Sequence, residues 1–202
     1  MNMKKSPSQI GRPRAFDIEK ALDSALRVFW EKGYEGTSLS DLTEAMGINR
    51  PSLYAAFGDK EALFRKVIDR YDEGPAAYVR EALGEPTAYA VVERLLFGSV
   101  DLLSDPCNPK GCLMVQGAIS CGDGANAIRR ELNSRRAAGD AAIRERLERA
   151  KSEGDLPPDV DAGDLARYFT TVVHGMAIQA AGGASRNELL GVVETALRAW
   201  PE

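Results

Sequence analysis

Along "DIEKALDSALRVFWEKGYEG", residues 17–36, the apolar positions Ile18, Ala21, Leu22, Ala25, Leu26, Phe29 and Trp30 fall at alternating intervals of three and one. That spacing makes one apolar stripe on an amphipathic helix. Asp17 is a plausible N-cap for it, and Gly33, able to adopt positive φ without a Cβ clash, is a natural end. The next stretch, "TSLSDLTEAMGINRPSLYAAFGDKEALF" (37–64), breaks into short pieces. Ser38, with Asp41 three residues on, nearly matches a capping box and starts a two-turn helix over roughly Leu39–Met46. Gly47 supplies a tight turn. Asn49 caps a third helix whose early Pro51 forfeits no intrahelical bond, and that helix stops near Gly58. Asp59 caps a fourth, about 60–73, with Leu63, Phe64, Val67, Ile68 and Tyr71 on one face.

Beyond Pro75 the periodicity stays helical. Helices are expected near 75–83, 87–104, 111–121, 124–152, 161–181 and 186–199, separated by "GEP", "SDPCNPKG", "CGDG", "EGDLPPD" and "GGAS". No run of β-branched residues alternates with polar ones as a strand would. The fold class is therefore all-α: an N-terminal three-helix unit followed by a larger helical domain. The domains read as a basic arm over 1–13, a helix-turn-helix unit over 14–60 with helix four linking onward, and a second domain over 74–202.

Two short helices braced across a glycine turn can present the second to a DNA major groove. On a 100° wheel, Leu53, Ala56 and Phe57 share the inward face of that second helix. Pro51 and Ala55 point outward, flanked by Ser52 and Tyr54, with Arg50 at the N-terminal edge. Charge distribution supports a polyanion partner at this end. The chain carries a net charge of −4, yet residues 1–70 hold 12 Lys/Arg against 10 Asp/Glu, and 71–202 hold 14 against 20. Residues 1–14 carry Lys4, Lys5, Arg12 and Arg14 and no acid.

The stretch 37–64, together with the "FWEKGYEGTS" exit of the first helix, resembles the DNA-binding region of TetR-type bacterial transcriptional regulators. The matching features are the Thr/Ser start of the second helix, Gly47, Leu53-Tyr54, Phe57 and "DKEALF". The specific resemblance covers about residues 14–70. It implies that Thr37, Ser52, Tyr54 and Lys60 meet DNA phosphates, Lys60 aided by the positive end of helix four. Arg50 is the candidate for a guanine contact, and Pro51 and Ala55 for a thymine methyl. Where many relatives carry a larger polar residue, often histidine, this chain has Ala55, which shifts the expected share of readout toward phosphates and DNA shape. Arg12 and Arg14 are read either as a minor-groove arm or as a solvated tail, and Tyr54 has partial burial as its alternative role.

The resemblance further implies a homodimer on a palindromic double-stranded operator, a small-molecule effector bound in the larger domain, and action as a repressor. Helices 161–181 and 186–199 are the expected dimer elements, with packing inside one chain as the alternative. Candidate cavity liners are Phe97, Val100, Leu103, Met114, Gln116, Ile119, Phe169, Val173, His174 and Met176. His174, the single histidine, is either a sensor or an ordinary core residue. Cys107, Cys112 and Cys121 all fall in "DPCNPKGCLMVQGAISCGD"; they lack zinc spacing and are read as buried free thiols or as a redox- or electrophile-sensing set. No nucleophile–base–orienter set or phosphate-binding glycine loop is visible, so an enzyme is not expected, nor a metal or cofactor. The longest apolar run, residues 168–184, is shorter than the ~20 residues of a bilayer span. With no apolar leader after the basic N-terminus and an odd number of cysteines, a cytoplasmic protein without membrane association is expected.

Overall fold

A computed structural model describes residues 16–120 and 125–201, the side chains of 118–120 excepted. Ten α-helices run through these residues: α1 Ile18–Gly36, α2 Leu39–Met46, α3 Arg50–Phe57, α4 Lys60–Glu73, α5 Ala77–Leu83, α6 Ala88–Ser104, α7 Leu113–Ser120, α8 Asn126–Ser152, α9 Ala162–Ala181 and α10 Arg186–Leu197. No strand is present among the described residues. No helix among them is long and apolar enough to cross a membrane.

The helix ends follow from local chemistry. Asp17 accepts from the amides of Glu19 and Lys20, Asp59 from Ala62, Thr87 from Ala90 and Asp161 from Asp164, each satisfying an orphan donor of a first turn. At Gly33 the backbone takes φ 71°, so α1 is regular only to that point and then turns once more toward α2.

One apolar cluster joins α1, α2, α3 and α4: Phe29, Leu42, Leu53, Phe64 and Tyr71 are among its most buried members. Its aromatic rings interlock edge to face, Phe29 with Phe64 at 4.9 Å and Trp30 with Tyr71 at 4.8 Å. The same cluster continues into Leu102, Leu113, Met114, Ile128 and Leu132, so the N-terminal unit is seated directly on α6, α7 and α8. Trp30 strengthens that seat by donating from Nε1 to the Gly111 carbonyl at 3.1 Å. A second cluster packs α6, α8, α9 and α10 around Leu96, Leu147, Phe169, Leu189 and Val193. Arg146, buried inside it, closes the turn between α5 and α6 by donating to the carbonyls of Glu85 (2.8 Å) and Pro86 (3.1 Å).

Candidate nucleic-acid interface and effector cavity

The α2–α3 unit is built by its caps. The Ser38 hydroxyl accepts from the Asp41 amide at 3.0 Å while Asp41 accepts from the Ser38 amide at 2.8 Å, a reciprocal capping box. Lys32, near the end of α1, bonds the same carboxylate at 2.6 Å. That bond and those from Ser38 hold the Asp41 carboxyl far below the usual carboxylate range. Gly47 sits at φ 65°, ψ 29°, and Ile48 donates to the Thr43 carbonyl at 3.1 Å, closing α2 with a left-handed residue. Two residues later Asn49 accepts from the Ser52 amide at 2.9 Å, and Pro51 occupies the first turn. Leu53 is fully buried and Phe57 nearly so, which anchors α3 by one face and leaves the other to solvent.

On that solvent face stand Arg50, Pro51, Tyr54 and Ala55, with Ser52 half-buried beside them. Tyr54 is 48% exposed. The Arg50 guanidinium rests on α2, donating to the Ser40 hydroxyl at 3.1 Å. Lys60 opens α4 with its ammonium 4.5 Å from the centroid of the Tyr34 ring, and partial burial lowers its pKa. Thr37 is placed differently. Its side chain is buried, and its hydroxyl donates inward to the Gly33 carbonyl at 2.6 Å, so the hydroxyl is not presented with the α3 face. Arg12 and Arg14 lie outside the described residues.

α4 runs from this face to a cavity of about 320 Å³ in the C-terminal half. Its walls come from Tyr71 and Asp72 of α4, Tyr78, Val79 and Leu83 of α5, Leu95, Ser99, Leu102 and Leu103 of α6, Met114 and Val115 of α7, Arg135, Arg136, Asp140 and Ile143 of α8, and Thr170, Val173, His174 and Ala177 of α9. Cys112 also lines it, its sulfur accepting from the buried Tyr71 hydroxyl at 3.3 Å. Burial pushes the Tyr71 phenol well up, and the Tyr78 phenol likewise. Burial lowers the His174 pKa, with Asp140 opposing that shift and Arg136 reinforcing it, so the imidazole is neutral near pH 7.

Of the liners expected from sequence, Leu103, Met114, Val173 and His174 meet at this cavity. Val100, Phe169 and Met176 are instead buried in the second cluster with Leu189 and Val193. Phe97 faces out of α6 at 36% exposure. Gln116 lines a separate, open hollow beside Arg27 and Lys110. The side chain of Ile119 and all of Cys121 fall outside the described residues. Cys107 is exposed on the loop after α6, where its carbonyl accepts from Arg27 of α1 at 2.8 Å.

The polar wall from α4 and α8 was not anticipated from sequence. Arg135 bonds Asp69 at 2.7 Å, Asp72 at 3.3 Å and Glu131 at 3.2 Å, and Arg65 of α4 reaches Glu131 at 2.7 Å. The pairs of Arg65, Asp69 and Asp72 fasten α4 to α8. Desolvation raises the Asp72 pKa despite the opposing pull of Arg135. The only sequence signal was an Arg-Arg pair beside Gly139 within an otherwise charged helix.

A capped, glycine-turned helix pair presenting one polar face, mounted on a helical domain that contains a cavity, is the architecture of a helix-turn-helix DNA-binding protein with a second helical domain. The family model of bacterial regulatory proteins of the tetR family matches residues 21–67, and that of the tetracyclin repressor-like C-terminal domain matches residues 90–194. The HTH-type transcriptional repressor ComR of Escherichia coli (strain K12) is 36% identical over 194 residues, spanning 95% of this chain and 92% of ComR. A cysteine-substituted form of the TetR family regulator CifR, solved with a 26-base-pair operator DNA, superposes with a TM-score of 0.89 at 45% identity, covering 94% of this chain and all of that one. A putative TetR regulator from Rhodococcus sp. RHA1 is 40% identical with a TM-score of 0.62, covering 92% of this chain and all of its own. The chain belongs to the TetR family of bacterial transcriptional regulators.

Proposed function

We propose that this protein is a homodimeric repressor that binds a palindromic operator through α3 and leaves it when a small molecule occupies the cavity. The observation that carries the reading is the course of α4. Its first residue, Lys60, stands beside the exposed face of α3, and its last turn supplies Tyr71 and Asp72 to the cavity wall. A ligand preferring one position of that turn thereby biases the spacing of two recognition helices, and only its differential affinity for the two states shifts the population. ComR is named a repressor and CifR was solved on operator DNA, which is the same direction of function. In this reading Tyr54, Ser52 and Lys60 position the protein on phosphates, Arg50 reads a base edge, and the protein acts in the cytoplasm where its operator lies.

For the dimer, the outer face of α9 offers Tyr168, Gly175 and Ile178, and α10 offers Gly191 and Val192, all exposed in the single chain. Two copies of these helices packed about a twofold axis would place both recognition helices on one side of the duplex. Selection of duplexes from a random pool with purified protein tests the reading. The expected product is a palindrome with half-sites about one helical turn, ~34–36 Å, apart. Tyr54→Ala and Lys60→Ala should bind it more weakly with unchanged circular dichroism. No enriched duplex, or equal affinity for both variants and parent, would reject it.

A second reading, a thiol-sensing regulator, is favoured by one observation: the Cys112 sulfur lies in the cavity wall, bonded to Tyr71 of α4. Covalent change there would break a bond to the lever. Serine replacements at Cys107, Cys112 and Cys121 separate the two readings, since unchanged induction in the triple variant removes the second.

A further inference from the structure

Among the described cavity-lining residues, Arg136 alone has a buried side-chain nitrogen with no hydrogen-bond partner, its Nε. Its neighbour Arg135 is paired with Asp69, Asp72 and Glu131. Among the described residues Arg136 has no such carboxylate within ion-pair distance, although a guanidinium cannot shed its charge. A donor shut away from water and bonded to nothing is costly, unless something that visits the site satisfies it. The rest of the lining is mainly apolar, with Leu83, Leu95, Leu102, Val115 and Ile143 facing one volume. Asp140 also lines the cavity, but neither of its oxygens is buried without a hydrogen-bond partner, so it calls for no ligand cation.

We propose that the effector is a small organic anion, a carboxylate or similar oxyanion on an apolar body, whose charged end pairs with Arg136 while its body fills the space between α5, α6 and α9. This rests on the effector reading above and adds the ligand's chemical class. The planar fork of Arg136 suits a two-oxygen anion, since Nε–H and one Nη–H form parallel charge-assisted bonds. Neutral His174, beside it, can donate a further bond without adding charge. The volume of about 320 Å³ sits at the small end of ligand sites, about 300–1,000 Å³, and so suits a compact molecule. The arrival of an anion next to Arg135 also explains transmission. The new charge competes with Asp72 for Arg135, loosening the last turn of α4 from α8.

Two matched probe sets test this: octanoate, octanamide and octylammonium, and 3-phenylpropanoate with its amide and amine. Each is titrated into the full-length protein by calorimetry and into the protein–operator complex by fluorescence anisotropy. The carboxylates are expected to bind about tenfold or more tighter than their amides and to weaken operator binding. Arg136→Gln should erase that preference with helicity as in the parent; Arg136→Lys, which keeps the charge without the fork, should restore part of it. An amide or amine that binds as tightly as its carboxylate and releases the operator would overturn the anion assignment and leave the effector reading standing. An undiminished preference in Arg136→Gln, or no binding by any of the six, overturns it as well. Failure of the duplex selection would instead strike the repressor reading alone.

Discussion

Gly98 of α6 and Gly139 of α8 make a matched pair that measures how tightly the cavity walls are set. A Cβ built on Gly98 would lie 2.6 Å from Cδ2, 2.8 Å from Cγ and 2.9 Å from Cβ of Tyr78, whereas one on Gly139 meets nothing within 4 Å. Both glycines are helical, so alanine gains about 1 kcal/mol of helix propensity at either site. At Gly98 the struck atoms include the ring's root, which is fixed to the α5 backbone and cannot swing aside. Overpacking of that kind costs about 1–3 kcal/mol, and the rigid contact favours the upper half of the range. Gly98→Ala is therefore expected to be destabilised by about 1–2 kcal/mol net, and Gly139→Ala stabilised by up to about 1 kcal/mol. For a chain of this size each kcal/mol moves Tm by about 2–4 °C, so differential scanning calorimetry should separate the two variants by roughly 2–12 °C. Tyr78 also lines the cavity, so Gly98→Ala should weaken ligand binding as well. If both variants rise in Tm together, the close approach of α5 to α6 is wrong, and with it the cavity's shape.

Three further outcomes are expected. Arg50→Ala should relax discrimination at one base pair by about 1–3 kcal/mol; a base-substitution profile identical to the parent's would reject the contact. Because burial depresses the His174 pKa, the neutral imidazole contributes stability that is intact above about pH 6.5 and is lost as pH falls below it. Parent Tm should accordingly drop more between pH 7.5 and 5.5 than that of His174→Gln, and parallel curves would remove His174 from the cavity wall. Ile178→Glu, at a 53% exposed position on α9, should yield a monomer in analytical ultracentrifugation and lose most operator affinity; a dimer of parental strength would place the interface elsewhere.

What the sequence by itself determined is the string of helices and the turn between α2 and α3. Ser38, Gly47, Asn49, Pro51 and Asp59 act on backbone groups within about four residues, so their consequences are legible without knowing what lies across the core. The stripes of α1 and α3 likewise specify their own buried faces. Tertiary structure alone decided which of many apolar side chains border empty space. Val100, Phe169 and Met176 look no different along the chain from Leu103 and Val173, and all five pack in or against the second cluster, yet only the last two also face the cavity. Thr37 turned inward because the break at Gly33 offered its hydroxyl a carbonyl. Arg135 and Arg136 of α8 look in sequence like part of a solvated charged surface, and they become a cavity wall because α4, α5 and α9 converge on them. Helix ends are fixed by neighbours in the chain; a cavity is a gap left by elements far apart in it, and its lining exists only once they have packed.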